Sequence, residues 1–438
     1  MQEKILLLNY YWPPCGGSAV QRWLDISNYL DPAQIQTFVV TIDENVATFP
    51  SIDYSLEKRI APSTRVFKTD TSELFYLYKK FVGKGNVPVA GMADEPNPGL
   101  LQKAGRFARG NFFLPDPRIG WNKHALKKAI EVIREEGIKL VFTAGPPQST
   151  HLIGLALKKE FPDLKWIADF HDYWTDISHL TKFYRTAIAH FFDKRLERKV
   201  LLKADRVMTH CQSSRRILSQ KLPAQEKDKI FVHTMGYRED MFTNRSKKIQ
   251  QKFTITYTGV ITEMYEPTVF FEAFQAALLL NPGIEVEIVF IGSLYPGLAE
   301  IAERLHLNFE YRGYLPHTEA IAAMQESSAL LLINPRSKDE KNIVPGKLYE
   351  YLASFKPIIS ISSVGSENEE IIEKCKAGAN FDWGDKESLV AYIDTLMKAW
   401  LKAGNVDLSE NDTVGLYGRQ YETQLLARKI KEMLSVEA

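Results

Sequence analysis

Three short segments carry residues whose types and spacing could do chemistry. The first reads Tyr10-Tyr11-Trp12-Pro13-Pro14-Cys15-Gly16-Gly17-Ser18. Adjacent glycines such as Gly16 and Gly17 let a backbone come close to a ligand, and a helix opening at residue 19 would offer free N–H groups to an anion. The dinucleotide spacing Gly-x-Gly-x-x-Gly is absent. The second segment, Ala168-Asp169-Phe170-His171-Asp172-Tyr173-Trp174, puts a titratable cluster at the end of an apolar run, with His171 and Asp172 as candidate catalytic residues. The third runs Asn342-Ile343-Val344-Pro345-Gly346-Lys347-Leu348-Tyr349-Glu350. Pro345 suits a first helical position, Gly346 leaves room at the helix end, and Lys347 adds a cation beside free N–H groups, which makes a phosphate site. Glu350 falls one turn further on, where a carboxylate can accept hydrogen bonds from ribose hydroxyls. Plainer readings exist for each: a tight turn, a structural histidine, and an i, i+3 Lys–Glu pair on an amphipathic helix. No Asp-x-Asp pair stands after a strand in the right place, and Asp169 with Asp172 is the nearest imitation, so no metal is expected.

The elements that must position these residues alternate. Short apolar, β-rich runs at 4–8, 37–42, 139–143, 165–168, 206–209 and 230–233 form one series. Runs at 254–257, 285–291, 308–311, 329–333 and 357–361 form another. Near-continuous Val/Ile/Leu/Phe is how strands covered on both faces of a parallel sheet read. Helical patterns lie between them, at 19–30, 122–136, 268–280, 318–326, 347–354 and 386–401. The alternation predicts an α/β protein with two Rossmann-like, doubly wound domains, and by the switch-point rule their ligands belong in a central cleft at the C-terminal ends of the strands. Expected boundaries are 1–245 for the first domain, with an irregular insertion at 44–120, and 246–412 for the second. The polar stretch 238–252 is the expected linker. A last helix at 413–438 carries Tyr417, Tyr421, Leu425 and Ile430 on one face and would pack back toward the first domain.

The remaining arithmetic excludes several classes. The chain has 438 residues, 45% of them hydrophobic and 25% charged, which rules out disordered and fibrous chains. Its 3 cysteines are too few and too far apart for a disulfide scaffold or a Cys-rich zinc module, and they suit a reducing cytoplasm. No apolar run reaches the roughly 18 residues of a membrane span, and the opening residues are too short an apolar run for a signal peptide. The net charge of +1 hides a division: residues 1–245 carry +9 and residues 246–438 carry −8. Basic residues interleave with aromatics at 75–84, 103–113 and 182–203, a combination that fits an anionic membrane surface. A nucleic-acid partner is not expected.

The three segments, in this order, resemble a GT-B glycosyltransferase of the retaining family-4 type. The run from Tyr10 to Arg22 is similar to that family's glycine loop, and Pro345 to Ala353 to its donor motif. Tyr257-Thr258-Gly259 resembles the opening of the nucleotide domain, and Arg312-Gly313-Tyr314 the segment beside the base. The resemblance implies a nucleotide-sugar donor as substrate with no further cofactor, and a glycan or lipid-linked acceptor used in cell-surface polysaccharide synthesis. It implies that Gly16, Gly17 and Gly259 approach the donor, that Lys347 and Arg336 neutralise the diphosphate, that Arg312 lies by the base, that Glu350 holds the ribose and that His171 faces the sugar. Two departures stand out. Many members of the family carry arginine at the position of His171, and Asn342 occupies the place of the first of two glutamates eight positions apart. A GT-B sugar-nucleotide epimerase and a non-catalytic sugar-nucleotide-binding protein are the alternatives.

Overall fold

The computed structural model describes residues 2–73, 99–176, 182–243 and 251–435. The basic-aromatic stretch 75–84 lies outside them, as does residue 245, where the domain boundary is expected. The chain divides into two compact units, one formed by Met1–Thr234 with Glu422–Ala438, the other by Met235–Tyr421.

In the first unit seven strands form a sheet: β1 (Glu3–Leu8), β2 (Ile35–Ile42), β3 (Arg65–Thr69), β4 (Leu140–Gly145), β5 (Lys165–Phe170), β6 (Arg206–Thr209) and β7 (Ile230–Val232). Their order is β3-β2-β1-β4-β5-β6-β7, and every pairing is parallel. Side chains of β1 alternate between two cores: Leu6 and Leu8 join Trp121, Ala125 and Trp166, while Ile5 and Leu7 join Trp23, Leu24 and Phe142. Both faces are therefore covered, which is why the strand reads as an unbroken apolar run.

The second unit holds β8 (Phe253–Ile261), β9 (Val286–Leu294), β10 (Glu310–Tyr311), β11 (Ala329–Ile333), β12 (Ile358–Ile361) and β13 (Gly378–Phe381), in the order β10-β9-β8-β11-β12-β13 and again parallel. Ile255, Tyr257, Ile359 and Ile361 pack with Phe270 and Phe274 of the helix Thr268–Leu280 and with Leu389 and Ile393 of the helix Lys386–Ala403. In both sheets the strand order reverses beside the first strand, between β1 and β4 and between β8 and β11. Those are the topological switch points at which α/β sheets bind ligands.

Four sequence expectations need correction. The stretch 44–120 is not wholly an insertion, because it supplies β3, which pairs with β2 over Phe38–Arg65 to Ile42–Thr69. β13 was also unforeseen. Both are edge strands, with one side unpaired, and their short, partly exposed sequences (Arg-Val-Phe-Lys-Thr and Gly-Ala-Asn-Phe) lack the buried-strand signature. The boundary falls at Thr234, before the expected 245, because Tyr237 exchanges backbone hydrogen bonds with Tyr417 and Arg419 and so belongs to the second unit. The last helix, Arg419–Ser435, buries Thr423, Leu426 and Ile430, and the last two pack with Ile5 and Leu7 in the first unit. Its apolar stripe is rotated from the expected one, leaving Tyr421 exposed.

Candidate functional site

In the second unit the site is built at the end of β8. Gly259 has φ +113°, a conformation that side-chain-bearing residues rarely adopt. A Cβ there would stand 2.8 Å from Lys347 Nζ and 3.2 Å from its Cε. The glycine is thus needed twice, for its backbone angle and for the space that the lysine fills. Lys347 opens the helix Lys347–Ser354, whose N-cap is Gly346, and its ammonium folds back onto the strand. Nζ donates to Tyr257 Oη at 2.7 Å and sits 3.9 Å from the ring centroid. Burial pulls the Lys347 pKa down to about 7, with Glu350 opposing that shift. Lys347 is half-buried and stands at a helix N-terminus, an arrangement able to receive an anion. Tyr351, one turn along, ties helix to strand by accepting from Thr258 N at 2.9 Å.

Glu350 projects from the same helix, and its Oε1 lies 2.8 Å from His317 Nε2. His317 begins the helix His317–Gln325. Asn342 ends the turn Glu340–Asn342 and is half-buried, while neighbouring Glu340 is fully inside, accepting from Ser363 N at 3.1 Å. Arg336 follows β11. Its guanidinium is exposed and held by Glu266 at 2.5 Å, so its cation is already paired. Arg312 is likewise paired, to Glu310 at 2.8 Å, and its backbone N–H donates to Phe290 O.

In the first unit Gly17 caps the helix Ser18–Tyr29 at φ +121°, and a Cβ there would meet nothing within 4 Å. Gly16 N donates to Ser51 O at 3.0 Å, which fixes the loop to residues of the 44–120 stretch. From the first turns of this helix, Arg22 and Trp23 reach Asp169 at the end of β5, at 2.8 and 2.7 Å. Arg22 and Asp169 are both inaccessible to solvent, and burial pushes the carboxyl upward against the pull of Arg22. Breaking such a pair would strand a buried charge. Arg22 also donates to His233 O at 3.1 Å.

His171 follows Asp169 by two residues, just past the end of β5, and borders the same side of the sheet end as Asp169. It lines a narrow cleft with Asn9, Tyr11, Arg22 and Gly145. Burial, and then Arg22, pull its pKa down to about 3, so the imidazole is neutral at physiological pH. Its Nδ1 is buried and has no hydrogen-bond partner among the described residues, and its ring centroid lies 5.1 Å from that of His210. A neutral imidazole with an unsatisfied nitrogen can meet a hydroxyl but cannot serve as a fixed cation. Asp172 is half-buried, and its carbonyl accepts from Gln148 Nε2 at 3.2 Å. Among the described residues no group of three or more His, Cys, Asp or Glu is arranged to hold a metal ion.

The structure thus joins Gly259, Gly346, Lys347 and Glu350 in one unit, and Gly16, Gly17, His171 and Asp172 at the strand ends of the other. Sequence reading missed three partners. Tyr257 as a cradle for Lys347 could have been suspected from its place two before Gly259. His317 and Arg22 had no such signal, because their partners are far away in the chain.

Residues 84–236 match Glycosyltransferase Family 4, and residues 252–399 match Glycosyl transferases group 1, one chiefly in each unit. The chain belongs to the GT-B glycosyltransferases. No curated protein matches it in sequence. Among solved structures it is similar to Anabaena HepE in complex with UDP and glucose, at 14% identity and a TM-score of 0.59, covering 99% of this chain and 100% of that one. Sucrose-phosphate synthase from Thermosynechococcus elongatus is 13% identical with a TM-score of 0.60, over 99% and 100%. A putative UDP-N-acetylglucosamine 2-epimerase from Listeria monocytogenes is 14% identical with a TM-score of 0.55, over 99% and 97%. Those likenesses speak for the fold of this glycosyltransferase.

Proposed function

We propose that this glycosyltransferase moves a hexose from a nucleoside diphosphate sugar to a glycan or lipid-linked acceptor, with retention of anomeric configuration, in the cytoplasmic synthesis of a cell-surface polysaccharide. The observation that carries the reading is the Lys347 ammonium, seated against Gly259 and Tyr257 at a helix N-terminus. Departure of the nucleoside diphosphate develops negative charge, and a preorganised cation with helix N–H groups stabilises it in the transition state. Glu350 accepts from the ribose hydroxyls through its carboxylate, with His317 holding it in place. Asn342 hydrogen-bonds a sugar hydroxyl, and Arg336, once released from Glu266, adds a second cation. Arg312 and Gly259 border the nucleotide, Gly16 and Gly17 leave room for the diphosphate, and neutral His171 with Asp172 faces the sugar. Fixed cations stand in for a divalent ion, and the donor is a substrate, so no cofactor is required. HepE's complex with UDP and glucose makes uridine the first base to try.

The test is incubation with UDP-glucose, UDP-galactose and UDP-N-acetylglucosamine, with and without extracted glycolipid, in EDTA. Acceptor-dependent release of UDP and a product of unchanged anomeric configuration are expected. An altered sugar nucleotide without transfer would mean an epimerase, and binding with neither would mean a non-catalytic binding protein.

A further inference from the structure

The helix Ala187–Lys203 is turned inside out for a soluble protein. Its buried face carries two acids, Asp193 and Glu197, beside Ala189, Val200 and Leu201. Asp193 is satisfied by Arg185 and by Trp174 Nε1 at 2.7 Å, and Glu197 by Thr175 at 2.5 Å and Lys221 at 2.6 Å. The opposite stripe, at i, i+3, i+4, i+7 and i+11 from Ile188, carries Ile188, Phe191, Phe192, Arg195 and Lys199. Ile188 is 71% exposed, Phe191 59% and Phe192 51%. Leaving these on the outside while acids occupy the inside runs against the ordinary partition of residues, and an exposed apolar patch of this kind marks an interaction surface.

The patch continues onto a second element. The helix Leu100–Phe112 is locked to the start of the first: Asn111 Oδ1 accepts from Thr186 N at 2.8 Å, Asn111 Nδ2 donates to Tyr184 O at 3.1 Å, and Arg185 Nε donates to Gly110 O at 3.0 Å. It adds Phe112, 76% exposed, and Phe107. Phe183, which the sequence grouped with these aromatics, is instead buried, with Arg109 over its ring at 4.7 Å.

Charge decides the occupant. Every exposed ionised side chain on the helix Ala187–Lys203 is a cation: Lys194, Arg195, Arg198, Lys199 and Lys203. A second copy docking on this face about a two-fold axis would set those cations against themselves. Aromatic and aliphatic side chains ringed by Lys and Arg match an anionic headgroup layer. We propose that this two-helix face docks the protein on an anionic lipid bilayer, with Ile188, Phe191, Phe192 and Phe112 entering the interface. This goes beyond sugar transfer and does not depend on it.

The test is co-sedimentation of the full chain with vesicles of phosphatidylcholine alone and of phosphatidylcholine mixed with phosphatidylglycerol. Binding to the anionic vesicles only is expected, weakening above about 0.3 M salt as screening shortens. Phe191→Ser with Phe192→Ser should lower partitioning about tenfold, and Arg195→Glu with Lys199→Glu about fivefold per cation removed. These side chains are exposed, so unchanged melting temperatures are expected and certify folding. Equal binding to neutral vesicles, no binding, undiminished binding by either variant, or a wild-type dimer that the Phe variant abolishes would each overturn the proposal. Titration of the same variants with UDP separates the two readings: absent UDP binding would count against sugar transfer and leave the vesicle result standing.

Discussion

Each unit sets a glycine of positive φ in or just after its first strand, Gly17 after β1 and Gly259 near the end of β8, yet the two positions are used differently. Around Gly17 a Cβ would meet open space, so the backbone angle alone excludes other residues. At Gly259 the angle and the space both matter, because the Lys347 ammonium fills the place of the missing side chain. The titratable groups differ in the same sense. The first unit buries a histidine until it is neutral, with a pKa of about 3, whereas the second partly buries a lysine until it titrates near 7. One strand end is suited to meeting hydroxyls, the other to receiving an anion.

The largest effect should come from Lys347→Ala, which removes the cation that the proposed reading sets against the leaving group. Turnover is expected to fall about 10²- to 10³-fold, as for loss of one preorganised transition-state donor. Steady-state kinetics with saturating donor checks this, and a loss confined to KM would show that the cation binds ground and transition states alike.

Gly259→Ala and Gly17→Ala break the comparison most sharply. Both should lose about 1–3 kcal/mol of stability through backbone strain, read as a lower denaturation midpoint. Only Gly259→Ala should also weaken UDP, by about tenfold, and move the pH dependence of its binding, because its Cβ displaces the ammonium. If Gly17→Ala shifts that pH dependence as well, the two glycines are not distinct.

His171→Ala should spare UDP affinity and slow transfer about tenfold, the value of a neutral hydrogen bond. Because wild-type His171 stays neutral down to about pH 3, its titration should put no inflection near pH 6.5 in the rate. The opposite sign holds for Lys347. Below about pH 7 its ammonium is charged before the anion arrives, and above that pH binding must first capture a proton. UDP affinity should therefore fall as pH rises past 7, by at most tenfold per unit, and Lys347→Arg should flatten the slope.

The smallest effect belongs to His317→Ala. Removing the partner that orients Glu350 should weaken UDP about two- to fivefold. A gain in affinity would mean that His317 competes with the ribose for the carboxylate.

The sequence disclosed the parts of this molecule that are local in the chain. Central strands such as β1, β4 and β11 announce themselves because burial on both faces demands continuous apolar residues. Pro345, expected at the first helical position, precedes the N-cap Gly346, but the helix Lys347–Ser354 was legible because its signals lie within a few residues. Edge strands β3 and β13 were not, because an unpaired side relaxes the demand for apolar residues. Nor were Arg22–Asp169 and His317–Glu350, whose partners meet only through the sheet topology. The burial of Asp193 and Glu197 escaped notice as well. A charged residue on a helix is read as solvent-facing unless its counter-ions, here Arg185 and Lys221, are known to reach it.

The central claim is that the second unit holds a nucleoside diphosphate through Lys347. Calorimetric titration of UDP into the wild-type chain and into Lys347→Ala, at pH 6.5 and in EDTA, tests it most directly. The account predicts binding to the wild type and a ten- to hundredfold loss of affinity in the variant, as expected for removal of one charge-assisted contact of about 1.5–3 kcal/mol, with both proteins melting at the same temperature. Equal affinity in the two proteins would contradict it.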